Sequence, residues 1–169
     1  MGLSEILTQR NHDTKEPLNG LGALGMTRTK KIHQEIETEL VCTLRPDAMK
    51  QKMRVLSECG LDEDLDARIA DVLVGTDDDC QFGEPILIIE VCDKNTFSEA
   101  KKRINEAFEL PTMKESYIYR FDENKWLVKY KGQKNFAERI PDSEIFGRNL
   151  ATIIATADFY KHILNKTYR

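Results

Sequence analysis

The segment Pro85 to Val91, PILIIEV, restricts the fold more than any other part of the chain. So continuous an apolar run suits a strand covered on both faces, and it is far too short to span a bilayer. Glu90 stands inside it. A carboxylate there costs several kcal/mol unless it is exposed at the strand end, paired, protonated or bound to a cation. Asp71 raises the same question in RIADVLVG, Arg68 to Gly75, a second run rich in branched residues. If the two runs pair antiparallel about a turn near Cys80 and Gln81, Asp71 faces Glu90 on one side of the sheet. Carboxylates about 5 Å apart repel unless something positive lies between them. A hard divalent cation such as Mg2+ meets that need with oxygen ligands. The alternative is that Glu90 meets Lys101 or Arg103 while Asp71 accepts backbone hydrogen bonds.

The rest of the chain reads as a mixed α/β (α+β) domain. Ile32, Ile36, Leu40 and Leu44 recur every four positions and predict an amphipathic helix ended by Pro46. Met49 to Ser57 is ambiguous: Met53 and Val55 alternate with Lys52 and Arg54 like a strand with one wet face, while Asp47 is placed to cap a short helix; Leu61 to Ala67 is an acidic connection, and TDDDCQFGE (76–84) is a turn segment. Thr96 or Ser98 opens a helix that Pro111 stops. Ser116 to Phe121 and Lys125 to Lys131 form a hairpin around Asp122, Glu123 and Asn124. Asp142 or Ser143 then caps a long helix carrying Phe146, Leu150 and Ile154. Residues 1–25, polar and then glycine-punctuated, read as a loose leader, and 26–169 as a single domain.

Lys plus Arg number 25 and Asp plus Glu 29, a net charge of -4, so any nucleic-acid contact comes from a local patch and not from a basic coat. The four cysteines, Cys42, Cys59, Cys80 and Cys92, form no CxxC pair and read as separate reduced thiols. The opening MGLSEILTQRNHD has no basic end followed by an apolar stretch, which leads to the expectation of a cytoplasmic, unanchored protein. Lys94, Lys101, Lys102 and Arg103 follow Glu90 closely and offer a cation for phosphate charge, or simply a solvated helix face. Lys125, Lys129, Lys131 and Lys134, with Trp126 and Tyr130 between them, make either a phosphate and stacking surface or an edge protected by lysines.

The order strand with Asp71, turn, strand with Glu90, cation-bearing helix resembles the PD-(D/E)XK nuclease superfamily, and within it the Uma-type restriction endonucleases. KIHQEIETEL resembles the family's first helix with its histidine, here His33. RVLSEC and RIADVLVG resemble the strands leading to its P-D-V segment, EPILIIEV its P-x-L-x-x-E-V strand, and LPTMKESYIY with SEIFGRNL its closing region. The resemblance spans about Thr29 to Leu150. It implies a restriction-endonuclease-like core, a mixed central sheet flanked by helices, and Mg2+-dependent (or Mn2+-dependent) hydrolysis of phosphodiester bonds, with DNA as the nucleic-acid partner. Asp71, Glu90 and the carbonyl of Val91 would hold the metal, Lys102 or Arg103 would stabilise the transition state, and His33, with Glu35 nearby, would assist or orient.

The sequence also departs from that pattern. Ala70 stands where the family has Pro, and Cys92 where the superfamily has its lysine. The Asp and Lys of the family's helix fall on Glu99 and Arg103, or on Ala100 and Ile104, according to the count. Arginine does not exchange protons near neutrality. These departures and the acidic balance support a second reading, a catalytically degenerate nuclease fold that works as a binding or scaffold module, with a homodimer as one form.

Overall fold

The computed structural model describes residues 28–60 and 69–156. The leader 1–25, the connection Leu61 to Ala67 and the chain after 156 lie outside the described residues. Residues 1–31 and 32–169 are two compact units. Of the first, only the opening turn of a helix is described.

Helix α1, Arg28–Lys50, buries Ile36, Leu40 and Leu44 of the stripe seen in the sequence, with Ile32 partly buried, and adds Ala48. Pro46 does not end it. A proline inside a helix costs about 3 kcal/mol. The helix continues because Ala48 extends the buried stripe one turn past Leu44, and because Asp47 is tied to Lys50 at 3.2 Å and to Arg148 at 3.3 Å. Strand β1, Met53–Gly60, therefore begins later than the alternation suggested.

Strands β2, Ile69–Asp78, and β3, Gln81–Cys92, form an antiparallel hairpin. Most of the expected turn segment 76–84 belongs to the strands. Only Asp79 and Cys80 turn, both at positive φ (51° and 67°), the conformation a two-residue hairpin with right-handed strand twist requires. Asp77, one of three consecutive acids, is held by Arg54 of β1 at 3.0 Å. The register slips at Gly75, where a Cβ would come within 2.4 Å of the Phe82 ring, so glycine is needed there.

Helix α2, Phe97–Ala107, carries the chain from β3 to β4, Glu115–Arg120, which lies parallel to β3. Strand β5, Lys125–Tyr130, completes the expected hairpin, with Asn124 at φ 52°, and β6, Ala137–Glu138, lies beyond it. The result is a mixed six-stranded sheet in the order β1-β2-β3-β4-β5-β6, flanked by helices, in agreement with the α+β expectation. The long closing helix does not start at Asp142 or Ser143. These residues form β7, paired with β8, Arg148–Asn149, around Gly147 at φ 60°, and α3, Ala151–Thr156, starts after Asn149 caps the amide of Ala151 at 2.9 Å. Phe146 is therefore outside the helix, while Leu150 and Ile154 still enter the core.

Strand β3 is covered on both sides, as its composition required. Leu87, Ile89 and Val91 pack with α1, and Ile88 and Cys92 with Ala100 and Ile104 of α2. Glu90 stands among these residues.

Candidate metal centre

The β2–β3 register runs Val74 with Leu87, Leu73 with Ile88 and Val72 with Ile89. Continued one step further, this register would set Asp71 against Glu90, the pairing expected from the sequence. The ladder stops at Val72, however, and Asp71 turns into the opening between the strands. Its Oδ2 accepts the Val91 amide at 2.7 Å, a main-chain donor that the ladder no longer serves. The irregularity extends to β1, where Ser57 pairs with Val72 and Cys59 with Ala70 while Glu58 between them sits at φ 47°. Ala70 and Val72 accordingly pack into different halves of the core.

Glu90 keeps the alternation of β3 and faces α2. It is completely buried, and its Oε2 accepts two hydrogen bonds from Arg103, at 2.9 Å from Nε and 2.6 Å from Nη2. Its Oε1 is buried without a partner. Burial first, then the charge of Asp71, push the Glu90 carboxyl up to about 8, against the lowering influence of Arg103 and His33. The two acids thus do not share one side of the sheet as expected. Asp71 lies in the opening and leans to α1, whereas Glu90 lies on the α2 side, near enough for each to affect the other's surroundings.

His33 comes from α1. Its Nε2 is 3.1 Å from Asp71 Oδ2 and its Nδ1 3.8 Å from Glu37 Oε2 one turn later. Burial alone would lower its pKa, but the hydrogen bond and charge of Asp71, with Glu37 and Glu90 behind them, raise it. Glu37 is itself buried. Desolvation first, then Asp71 and Glu58, push it up to about 7. One donor atom from each of His33, Glu37 and Asp71 lies within 4.8 Å of the others. Sequence reasoning placed Glu35 beside His33 and missed Glu37. The i, i+4 spacing from His33 was the available signal.

The remaining expectations separate clearly. Arg103 reaches Glu90, but Lys102 does not. It is exposed and lies 3.9 Å from Glu106 on the outer face of α2, because residues 102 and 103 point about 100° apart on a helix. Lys101 stacks over Phe97 at 4.9 Å. Cys92, in the place of the superfamily's lysine, is buried among apolar neighbours, and burial pushes its thiol up to about 12. The basic hairpin is largely engaged within the fold: Lys125 with Glu123 and Glu138, Lys129 buried against Asn105 at 2.7 Å, Lys131 on the Pro111 carbonyl, and Trp126 stacked on Tyr119. That favours the protected-edge reading of those lysines. The two alternatives to a metal at Asp71 and Glu90, an Arg103 pair and a backbone bond, are both present.

As donors, the residues at Asp71 and Glu90 fit a hard cation. The Asp71 carboxylate lies at the strand opening, and the buried Glu90 Oε1, on the α2 side, has no hydrogen-bond partner. No protein-family model and no curated protein matches the sequence. Among solved structures, the chain is similar to a candidate nuclease belonging to DUF820 from Anabaena variabilis ATCC 29413. The match has a TM-score of 0.56 and 14% identity, and covers 73% of this chain and 80% of the other. It establishes a shared fold. Among the described residues, no helix is long and apolar enough to cross a membrane.

Proposed function

We propose that the protein is a divalent-metal-dependent nuclease that hydrolyses phosphodiester bonds of DNA. The observation that carries this reading is Glu90, a carboxylate completely buried in the sheet, with one oxygen unpartnered beside Asp71. The fold shared with a candidate nuclease of DUF820 supports it. Asp71, Glu90 and the Val91 carbonyl would hold Mg2+ or Mn2+. When bound, such a cation neutralises phosphate charge and acidifies a water molecule.

The chain's own residues do the positioning. The Val91 amide and His33 fix Asp71 through the same oxygen, Oδ2. Arg103 fixes Glu90 through Oε2 and leaves Oε1 without a hydrogen-bond partner, the atom that would serve as ligand. Its guanidinium also supplies fixed positive charge for the phosphate, without exchanging a proton.

A cleavage assay on plasmid and single-stranded DNA with Mg2+ or Mn2+ tests the proposal, comparing wild type with Glu90→Gln and Asp71→Asn. Metal-dependent cleavage lost in both variants is the expected result. Cleavage that survives both removes the assignment. The second reading, a degenerate nuclease fold acting as a binding module, draws on the position of Lys102, exposed and turned away from Glu90. It is favoured if the wild-type protein neither cleaves DNA nor binds Mn2+.

A further inference from the structure

The nuclease reading leaves a cleft unused on the far side of the sheet from β1. It opens between β5, the segment joining β6 to β7, and α3, and holds about 430 Å3. Sites for small molecules hold about 300–1,000 Å3. Its walls are partly apolar: Ile140 is 63% exposed, and the buried Trp126 ring is stacked on Tyr119 at 4.7 Å.

The polar groups that remain open to a ligand are donors. Asn149 accepts the Ala151 amide at 2.9 Å and Asn124 the Tyr119 hydroxyl at 3.2 Å, so both carboxamides have committed their oxygens and keep their NH2 groups. Trp126 adds an indole N–H, which can only donate. The one acid of the wall, Glu138, is paired with Lys125 at 3.4 Å. Arg139, exposed and resting on the Tyr130 ring at 4.5 Å, has no acid partner among the described residues.

The sheet register places this cleft relative to the metal centre. Trp126 pairs with Tyr119, and Tyr119 with Val91, whose carbonyl the nuclease reading assigns to the cation. Two strand spacings separate Trp126 from Val91, about 10 Å. A DNA strand covers that distance in about three stacked nucleotides.

The geometry points to a nucleotide subsite in which the cleft takes one unpaired, carbonyl-bearing base of a DNA strand, thymine before adenine, with a phosphate at Arg139. Thymine presents carbonyl oxygens to the three donors, whereas the amino group of adenine would meet the asparagine NH2 groups donor to donor. That the strand is DNA rests on the nuclease reading. The preference for a carbonyl edge rests on the cleft's own residues.

Trp126 is the only tryptophan in the sequence, so its emission reports on the cleft. The test titrates the full-length protein with hexathymidylate and hexadeoxyadenylate in EDTA, where neither a cation nor cleavage intrudes. Hexathymidylate should quench the emission and bind at least about fivefold more tightly, the effect of about one hydrogen bond. Thymidine 5′-monophosphate, with one unit and one phosphate, should bind at least about tenfold more weakly than the hexamer. Asn149→Asp and Asn124→Asp each keep the accepting oxygen and lose the NH2 donor. With unchanged melting curves, each should abolish the thymine preference, while Arg139→Gln should weaken both hexamers alike. Equal affinity for the two hexamers, or a preference untouched by both asparagine variants, overturns the inference and leaves the nuclease reading to its cleavage assay. Monophosphate binding as tight as that of the hexamer overturns the strand as the source of the base. A thymine preference carried by the asparagines in a protein that cleaves no DNA sustains the subsite and removes the nuclease reading.

Discussion

Removing Arg103 isolates the energetics of the buried acid. In Arg103→Met the Glu90 side chain stays completely buried but loses both of its hydrogen bonds, so neither carboxyl oxygen has a partner. Breaking a buried ion pair from one side typically costs 3–5 kcal/mol. Here protonation limits the loss, because burial already pushes the carboxyl up to about 8 and the neutral acid is accessible at pH 7. What remains is an unsatisfied buried acceptor and the lost arginine packing, together about 3 kcal/mol. For a protein of this size that is a fall in Tm of about 6–12 °C. The sign with pH follows from linkage. A carboxyl raised in the folded state stabilises the fold below its unfolded pKa and loses that contribution as pH rises to the folded value. Arg103 lowers the folded value, so its removal extends the loss beyond pH 8, and the gap between wild type and variant should widen above that pH. The double variant Glu90→Gln with Arg103→Met should recover at least about 1.5 kcal/mol relative to the sum of the single changes. Denaturant melts of all four proteins at pH 6, 7 and 9 supply the comparison. Additive single effects, or an Arg103→Met penalty under about 1 kcal/mol, would refute the argument.

Cation binding should release protons and strengthen from pH 6 to pH 8, because Glu90, raised to about 8, must ionise to act as a ligand. Calorimetry in buffers of different ionisation enthalpy reads this directly, and pH-independent affinity contradicts it. Glu115→Ala should destabilise the fold by about 3 kcal/mol, since this buried carboxylate accepts bonds from the Tyr117 and Ser143 hydroxyls and the Ile145 amide. Faster hydrogen exchange at Ile145 would accompany that loss. Pro46→Ala should raise stability by about 1–2 kcal/mol, as it restores an N–H inside α1 and relieves the ring contact with the preceding turn. A lower Tm would show that Pro46 matters through the unfolded chain instead.

Legibility in the sequence followed the range of the interactions involved. The PILIIEV strand, the α1 stripe and the β4–β5 hairpin were readable because burial pattern and turn chemistry act within a few residues. The β2–β3 hairpin register as far as Val72 and Ile89 was readable because two apolar runs on either side of one turn have few ways to pair. The errors arose where a distant contact overruled a local rule. Pro46 stays inside α1 because Ala48 is buried and Arg148, a hundred residues away in the chain, holds Asp47. Ser143 accepts the Phe146 amide at 3.2 Å as a helix cap would and donates to Glu115 at 2.7 Å, but the chain turns back at Gly147, φ 60°, to pair β7 with β8, so no helix follows. The choice of Arg103 over Lys102 needed only the phase of α2 relative to β3, which sequence counting left open.

The unshared faces of Asp71 and Glu90 follow from the same conflict between local and distant interactions, and they decide how the site's charges divide. Had β2 continued its ladder, Asp71 would have joined Glu90 on the α2 side and Arg103 would have had two acids to neutralise. Because the ladder ends at Val72, Asp71 turns instead toward α1, and Glu37 and His33 become its neighbours. Arg103 is then committed to Glu90 alone, with both donors on one oxygen. On the α1 side, Asp71 and Glu37, with the charge of Glu58 nearby, have His33 as their positive partner. Once Glu37 has ionised, above about pH 7, two carboxylates and one imidazole carry a net negative charge even with the ring protonated, so that side then attracts a cation more strongly than the side Arg103 already covers. The break in the β2–β3 ladder therefore creates the asymmetry that ties Glu90 to arginine through one oxygen and sets Asp71 beside His33, Glu37 and the Val91 amide.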